Sequence, residues 1–319
     1  LIIRRFGVQV PVGPQMSSHN YIKNSKNENI LININGELFH RSEAKISVFD
    51  SGFLLGDGVW EGIRLHKKKL VFIEDHINRI FASAKGISLE VPFSKEDIIF
   101  EINKVLLANE MEDDIHIRFI ISRGDKITPY QNPNANVGPI NFVIIPEFKK
   151  TDPKTYSRGI KIGRVNNIRP TEMMLNPQYN TLSKLNCILA SIEANRLGFD
   201  EGIMNDINGN ISTCNSTNLF FINDNKVITS TGDHCLNGIT RGKIIQVCDE
   251  NNIKCLQKNF TFEEIENCKE AFVTGTFAGV IPVKMIEKRL LNSTKENSLT
   301  NDIRSLYNKK INEYINLKC

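Results

Sequence analysis

Alternating apolar and polar positions predict strands in the first half of the chain. Residues 31–38 alternate around the Asn35-Gly36 pair, a combination typical of a two-residue hairpin turn. The basic run at 67–69 is interpreted as a turn between two paired strands. The strands are predicted at residues 31–38 (a hairpin), 45–49, 60–65, 69–73, 115–123 and 140–145.

Two helices are predicted between these strands. Apolar residues recur at helical spacing over residues 75–85. Ser94 with Asp97 three positions later forms a capping pattern that opens a helix over 94–109. After a polar stretch with two prolines, 146–159, the pattern changes, and this stretch is the best linker candidate. The predicted division is an N-terminal arm (1–29), a small α/β domain (30–147), a linker (148–158) and a larger domain (159–319).

The second half is expected to be richer in hairpins. Turn signals at Asn208-Gly209 and Asp224-Asn225 predict two hairpins, and residues 239–250 are expected to form a helix. A short strand near 253–256 and a capping box at Thr261 follow. An earlier helix, ending near Gly198, is expected to bury an apolar face made of Leu185, Ile188, Leu189 and Ile192.

Composition and charge exclude several classes of function. The 319 residues are 40% hydrophobic and 24% charged with a net charge of +4, which gives no argument for a nucleic-acid or membrane partner. Seven cysteines at irregular spacing indicate reduced thiols, hence a cytoplasmic protein. Residues 1–15 hold two arginines and no acid, so an organelle matrix is the alternative if they are a transit-peptide remnant. A metal cluster is not expected.

Three segments are candidates for binding an anion. Gly238 precedes a helix that begins with Ile239 and Thr240, and free N–H groups at such a helix end bind phosphate. A second Gly-Thr turn contains Thr276. Arg64 lies in an apolar strand, where a guanidinium needs an anionic partner. That partner is either a structural carboxylate (Asp50, Asp57 or Glu61) or a bound phosphate.

Two residues are candidate nucleophiles. Cys214 has no histidine near it in sequence, which favours a buried thiol without a chemical role. Lys184 stands at the start of a helix, where the helix dipole and burial both favour the neutral amine.

Together these segments resemble the class IV aminotransferases, the fold-type IV pyridoxal-phosphate enzymes, over residues 30–283. The resemblance is carried by "ISVFDSGFLLGDGVWEGIR", "EDHINRIFASA", "LASIEANRLGFDEGIM", "STNLFFI", "LNGITR" and "AFVTGTFAGVIPV". The family includes branched-chain and D-amino-acid aminotransferases and aminodeoxychorismate lyase. It implies a two-domain α+β fold with pyridoxal 5'-phosphate in the cleft, and a homodimer. It also implies that Arg64, Ile239, Thr240 and Thr276 contact the cofactor phosphate.

The chain departs from the family pattern at two positions. Counting back from Glu193-Ala194, the position of the family's Schiff-base lysine is Asn180. The position of the glutamate that faces the pyridine nitrogen is Thr213, which cannot hold that nitrogen protonated as a carboxylate does. Lys184 lies four residues after Asn180, one turn if the stretch is helical, and is the candidate to replace the missing lysine. Asn180 and Thr213 are then cofactor contacts.

The leading hypothesis is an aminotransferase acting on a small apolar amino acid and a 2-oxo acid through Lys184. Phe53, Trp60 and Phe277 are candidates for the apolar wall of the substrate site. Arg118 or Arg123 would pair with a substrate carboxylate, or with a structural acid. The alternatives are a lyase of the same fold, which the neutral Thr213 favours, and a non-catalytic binding protein, against which the complete phosphate-binding segments argue.

Overall fold

The computed structural model describes residues 20–317, and the predicted transit remnant at 1–15 lies outside them. In chain order, the strands of the first half are β1 (Tyr21–Ile22), β2 (Leu31–Ile34), β3 (Glu37–His40), β4 (Gly58–His66), β5 (Lys69–Leu70), β6 (Ile115–Ser122), β7 (Asn141–Phe148) and β8 (Lys150–Thr151). Its helices are α1 (Ser51–Leu55), α2 (Ile73–Gly86), α3 (Lys95–Ala108) and α4 (Lys154–Arg158). Short 3₁₀ turns occupy Ser25–Asn29 and Pro133–Ala135.

Six of these strands form one antiparallel sheet in the order β3-β2-β7-β6-β4-β5. The β2–β3 hairpin turns at Asn35 and Gly36, both in the left-handed region, as the Asn-Gly pair predicts. Helix α3 begins with the predicted capping box of Ser94 and Asp97. Helices α2 and α3 pack on one face of the sheet through a core that includes Ile80 and Ile102. The opposite face carries Trp60 and Arg118.

The second half is built on a mixed nine-stranded sheet. Its strands are β9 (Ile160–Arg164), β10 (Glu201–Asn205), β11 (Ile211–Cys214), β12 (Asn218–Asn223), β13 (Lys226–Thr229), β14 (Cys255–Gln257), β15 (Glu270–Gly275), β16 (Gly279–Ile286) and β17 (Arg289–Leu290). Their order is β11-β10-β9-β16-β15-β12-β13-β14, with β17 beside β16. The helices are α5 (Glu172–Leu175), α6 (Leu185–Arg196), α7 (Ile239–Glu250), α8 (Phe262–Ile265) and α9 (Leu299–Asn316).

Two strand predictions need correction. Residues 45–49 form no strand, because their backbone makes a local turn in which the Asp50 N–H donates to the Ser47 carbonyl, and Asp50 then caps α1. The strand predicted at 69–73 is too long, because β5 ends at Leu70 and α2 begins at Ile73. The predicted linker at 148–158 contains the end of β7, β8 and α4. Both hairpins of the second half form at their predicted turns.

The predicted buried face of α6 is wrong. The exposed fractions of its apolar residues are 66% for Leu185, 51% for Ile188, 45% for Leu189 and 41% for Ile192. The residues that α6 buries against the sheet are Ala190 and Ala194. Their small side chains allow a close approach, and a Cβ on Gly202 of β10 would lie 3.3 Å from the Ala190 carbonyl oxygen. The large apolar side chains therefore face outward.

Helix α9 was not foreseen from the sequence. It packs with α7 and the nine-stranded sheet through Ile303, Tyr307, Ile311 and Ile315. Gly279 of β16 lies under the Tyr307 ring. A Cβ on this glycine would lie 3.1 Å from Cε1 of Tyr307. Among the helices that the structure describes, none has the length and apolar character needed to cross a membrane.

Candidate active site

The N-terminus of α7 is an open anion-binding end. Gly238 is the N-cap residue, and no side chain among residues 20–317 caps the free N–H groups of the first turn. A Cβ at Gly238 would lie 2.2 Å from Oδ1 of Asn218, whose Nδ2 is held by the Leu236 carbonyl at 3.0 Å. Only glycine therefore fits here, and the uncapped helix end can accept a dianion such as phosphate.

A Gly238→Ala variant tests this fit. We expect the added methyl to push Asn218 out of its bond and to lower the free energy of unfolding by about 1–3 kcal/mol. The matched control is Gly242→Ala in the same helix, where a Cβ has no neighbour within 4 Å. This control is expected to be neutral or to stabilise the protein by up to about 1 kcal/mol, since alanine favours helix. Urea unfolding measures both, and equal stabilities would contradict the assignment.

Thr240 and Arg64 border this helix end from one side. Thr240 is buried and shares a hydrogen bond with Tyr307 of α9. Burial raises the pKa of Tyr307, and the bond to Thr240 and the charge of Arg64 partly offset that rise. Arg64 has no ion pair within residues 20–317, so its guanidinium has no structural carboxylate.

The structural alternative for Arg64 is therefore wrong. Asp57 pairs with Arg123 at 2.7 Å, and Glu61 pairs with Arg79 at 2.7 Å. Asp50 accepts hydrogen bonds from Ser122 and Asn141. The Asp57 contact also assigns Arg123, one of the two candidate carboxylate partners, to a structural ion pair.

Arg79 is a site residue that the sequence analysis missed. Its Nη1 donates to the carbonyl of Asn237, at 3.3 Å, directly before Gly238. Glu61, fully buried, holds the guanidinium through bonds of 2.7 and 2.8 Å, and His76 contacts the same carboxylate at 2.6 Å. The "HINR" segment could have indicated this role, since His76 and Arg79 are one helical turn apart on α2 and lie on the same face.

The second Gly-Thr turn lies beside the same helix end. Strand β15 pairs Thr274 with Asn218, the residue that contacts Gly238. The Thr274 hydroxyl is buried and has no hydrogen-bond partner among the described residues. Thr276 follows in the turn to β16 and is partly buried. A buried, unpaired hydroxyl is costly, so it marks a place where a ligand oxygen can complete the contact.

The segment before α6 is extended, so the condition under which Asn180 and Lys184 would be one helical turn apart is not met. It lies antiparallel along β4, where the Trp60 N–H donates to the Asn180 carbonyl at 3.0 Å and the Leu182 N–H donates to the Gly58 carbonyl at 2.9 Å. The Trp60 indole Nε1 adds a bond to the Thr181 carbonyl at 3.1 Å. Lys184 follows as the N-cap residue of α6, as predicted.

Lys184 extends over Trp60, with its Nζ 5.7 Å from the ring centroid. Burial lowers the pKa of Lys184 to about 8, and the charges of Arg169, Arg79 and Arg118 act in the same direction, whereas Cys187 opposes them. A pKa of about 8 leaves a sizeable fraction of neutral, nucleophilic amine near neutral pH. Arg79, which contacts the loop before α7, is thus also one of the charges that lower the pKa of Lys184.

The remaining candidates have the following positions. Arg118 stacks on Trp60, with its Cζ 3.6 Å from the ring centroid. Phe277 is buried and packs edge-on against His116 with centroids 5.8 Å apart. Phe53 is 72% exposed and lines a separate apolar cavity of ≈ 340 Å³ that neither Trp60 nor Phe277 borders.

The two polar strand residues after β10 differ in environment. Thr213 is buried and donates its hydroxyl to the Thr217 carbonyl at 2.7 Å, which leaves only its oxygen lone pairs for a ligand. Cys214 is buried as predicted, and burial raises the pKa of its thiol. Within the described residues no three His, Cys, Asp or Glu side chains are grouped to hold a metal ion.

Comparisons with known proteins identify relatives of this chain. The chain is 32% identical over 286 residues to the branched-chain-amino-acid aminotransferase-like protein 2 of Arabidopsis thaliana, covering 89% of this chain but only 51% of that relative. It is 30% identical to a putative branched-chain-amino-acid aminotransferase of Methanocaldococcus jannaschii, covering 86% of this chain and 94% of that relative. A D-alanine aminotransferase of Staphylococcus haemolyticus is 29% identical over 87% of this chain and 96% of its own.

Solved structures of branched-chain aminotransferases have a similar fold. The branched-chain aminotransferase of Thermoproteus uzoniensis, solved with norvaline, superposes with a TM-score of 0.79 at 26% identity, covering 89% of this chain and 95% of that chain. The branched-chain amino acid aminotransferase of T.th., solved with N-(5'-phosphopyridoxyl)-L-glutamate, gives 0.81 at 25% identity, covering 89% and 94%. Class IV aminotransferases use pyridoxal 5'-phosphate, and their fold-type IV architecture is the one described above. Since the model of the amino-transferase class IV family matches residues 58–286, this chain belongs to that family.

Proposed function

We propose that this protein is a pyridoxal 5'-phosphate-dependent aminotransferase that moves an amino group between a small apolar amino acid and a 2-oxo acid, with Lys184 as its reactive amine. The observation that carries this proposal is the position of Lys184. Its amine is partly buried against Trp60, has a pKa lowered to about 8, and feels the charge of Arg79, which also contacts the loop before α7. Asn180, at the family's lysine position, has no amine to offer.

The residues around α7 fit the cofactor phosphate. The end of α7 has free N–H groups, Arg64 has no carboxylate partner among residues 20–317, and the described residues leave the Thr274 hydroxyl unpaired. We assign phosphate binding to Arg64, the Ile239 N–H, Thr240 and Thr276, and add Arg79, which contacts the loop before the helix. A guanidinium fork with helix-end N–H groups is the arrangement that a phosphate dianion favours.

Thr213 is assigned to the pyridine nitrogen. Because its hydroxyl hydrogen is used by Thr217, the oxygen can only accept, and it has no charge with which to hold the nitrogen protonated. The cofactor ring is therefore expected to draw electrons less strongly than in relatives with a carboxylate there. This is the observation that favours the lyase alternative.

The bound cofactor supplies an aldehyde that exchanges for the amino group of the substrate. Lys184 Nζ would be the group that holds the cofactor at its aldehyde carbon. The same Nζ would also act as the base that takes the proton from the substrate α-carbon. Arg118, already oriented over Trp60, would pair with a substrate carboxylate, and Trp60 and Phe277 would contact the side chain.

An amino-transfer assay tests the proposal. The purified full chain with pyridoxal 5'-phosphate is mixed with L- or D-forms of leucine, valine or alanine and with 2-oxoglutarate. We expect equal amounts of glutamate and of the new 2-oxo acid, quantified by chromatography. In a parallel assay with serine, whose hydroxyl can leave, pyruvate and ammonia formed without any acceptor would indicate the lyase instead. No product from any pair, with the cofactor bound, would support the non-catalytic alternative.

We also propose that the protein acts as a homodimer. Helix α6 presents Leu185, Ile188, Leu189 and Ile192 to solvent, and Met173 and Met174 of α5 are 90% and 75% exposed. Large exposed apolar side chains in such number are typical of a protein–protein interface. Because Lys184 caps the same helix, pairing through this surface would lie next to the cleft. Sedimentation analysis of the full chain measures the assembly.

A further inference from the structure

The amide of Asn180 occupies a specific place in the contact between the two halves of the chain. In a regular antiparallel pair, Trp60 and Asn180 would exchange two backbone hydrogen bonds. Here the Trp60 N–H donates to the Asn180 carbonyl at 3.0 Å, but the Asn180 N–H is diverted to the Ser83 hydroxyl, also at 3.0 Å. The side-chain Nδ2 of Asn180 donates to the Trp60 carbonyl instead, at 2.6 Å. The amide thus replaces a missing backbone donor.

The orientation of this amide is unambiguous. Exchanging its oxygen and nitrogen would place two oxygen atoms 2.6 Å apart, facing each other. Asn180 is only 1% exposed, so its side of the bond to the Trp60 carbonyl is shielded from water. An aliphatic side chain at this position would leave that carbonyl buried and unpaired, which destabilises the contact. A lysine would bring a charge into a site where no carboxylate contacts residue 180.

This contact fixes Trp60 and the segment that leads to Lys184, whose amine lies over the Trp60 ring. Trp60 is held through its N–H and carbonyl by Asn180 and through its indole by the Thr181 carbonyl. Lys184 lies four positions along the same segment, which Leu182 and Ser183 also tie to Gly58 and Gly56. The distance of 5.7 Å between the Lys184 amine and the Trp60 ring depends on this register.

We propose that Asn180 is a positioning residue for Lys184: its amide locks residues 180–183 onto β4 and so holds the lysine amine against Trp60. The residue that stands where relatives carry their lysine thereby supports the lysine that replaces it. This inference rests on the proposed role of Lys184 in catalysis. The contact uses Nδ2 of Asn180, whereas its Oδ1 is buried and has no hydrogen-bond partner among the described residues.

Trp60 is the single tryptophan of the chain, so its fluorescence reports the charge of Lys184 directly. We would titrate the full chain, freed of cofactor with hydroxylamine, between about pH 6.5 and 10. The wild type is expected to show a transition with a midpoint near 8, absent from Lys184→Met. In Asn180→Leu, release of the amine into water should move the midpoint by at least one pH unit toward the ordinary lysine value of 10.5.

The control is Asn33→Leu, which removes another fully buried amide, bonded to Glu101, in the hairpin of the first sheet. It should lose stability yet keep the midpoint near 8. If Asn180→Leu is insoluble, Asn180→Ser replaces it, since its hydroxyl cannot reach the Trp60 carbonyl. The same shift of the midpoint is expected. A midpoint that stays near 8 in the Asn180 variants would overturn the proposal. If the midpoint moves but borohydride leaves Lys184 of the wild type unlabelled, the positioning stands and the catalytic assignment fails.

Discussion

Replacing Lys184 with alanine is expected to reduce amino-group transfer by at least about 1,000-fold. The variant loses both the amine that bonds the cofactor aldehyde and the base that moves the substrate proton. Binding of the phosphate should survive, because Arg64, Arg79 and the end of α7 do not depend on this side chain. Initial rates at saturating cofactor, together with equilibrium binding of pyridoxal 5'-phosphate, separate the two effects.

The control is Lys161→Ala. Lys161 is an exposed lysine of β9 whose backbone N–H is bonded to Asp200, and its removal should leave the rate unchanged. If Lys161→Ala abolishes transfer while Lys184→Ala retains it, the assignment of the reactive amine is wrong. If both variants keep full activity, a third lysine supplies the amine, and the position of Lys184 over Trp60 has another cause.

Replacing Glu61 with glutamine is expected to lower the free energy of unfolding at pH 7 by about 3–5 kcal/mol. The carboxylate is fully buried and holds Arg79 through two hydrogen bonds and His76 through a third. A glutamine leaves the Arg79 charge without its partner in a buried site. Because Arg79 contacts Asn237, the change should also weaken cofactor binding at the end of α7.

The dependence on pH follows from the same carboxylate. Burial alone would raise the pKa of Glu61, but the charge of Arg79 and the bonds from His76 and Arg79 lower it below 4.5. The stabilisation is therefore complete above the unfolded value of 4.5 and is lost as pH falls through the lower folded value. Urea unfolding at pH 7 compares Glu61→Gln with Glu112→Gln, whose exposed pair with Lys68 should contribute less than about 1 kcal/mol. Equal losses of unfolding free energy in the two variants would contradict the stabilising role of Glu61.

Local signals in the sequence predicted much of the fold because they act over few residues. The Asn35-Gly36 turn, the capping box of Ser94 and Asp97 and the glycine before α7 each depend on backbone geometry that the sequence reveals. The apolar spacing of α6 did not reveal that its apolar face is exposed in this chain. That spacing marks an apolar surface but does not say whether this chain or another one covers it.

The site residues also divide into those marked by local signals and those defined by tertiary contacts. Lys184 and the end of α7 were identified because each lies at a helix start. Arg79 was missed because its role depends on the contact between α2 and the loop at Asn237, far away in sequence. The role of Asn180 was also hidden, since the diversion of its N–H to Ser83 is a tertiary contact that no local pattern encodes. The reducing compartment inferred from the cysteines and the domain boundary at 148–158 stay predictions.

Borohydride trapping tests the central claim most directly. The reagent reduces the bond between a lysine nitrogen and the cofactor carbon to a stable amine, and peptide mapping by mass spectrometry then identifies the modified lysine. The full chain is reconstituted with pyridoxal 5'-phosphate, reduced and digested. We expect the pyridoxyl phosphate group on the peptide that contains Lys184, and none in the Lys184→Ala protein. A label on any other lysine, or no label although the cofactor is bound, would contradict the account.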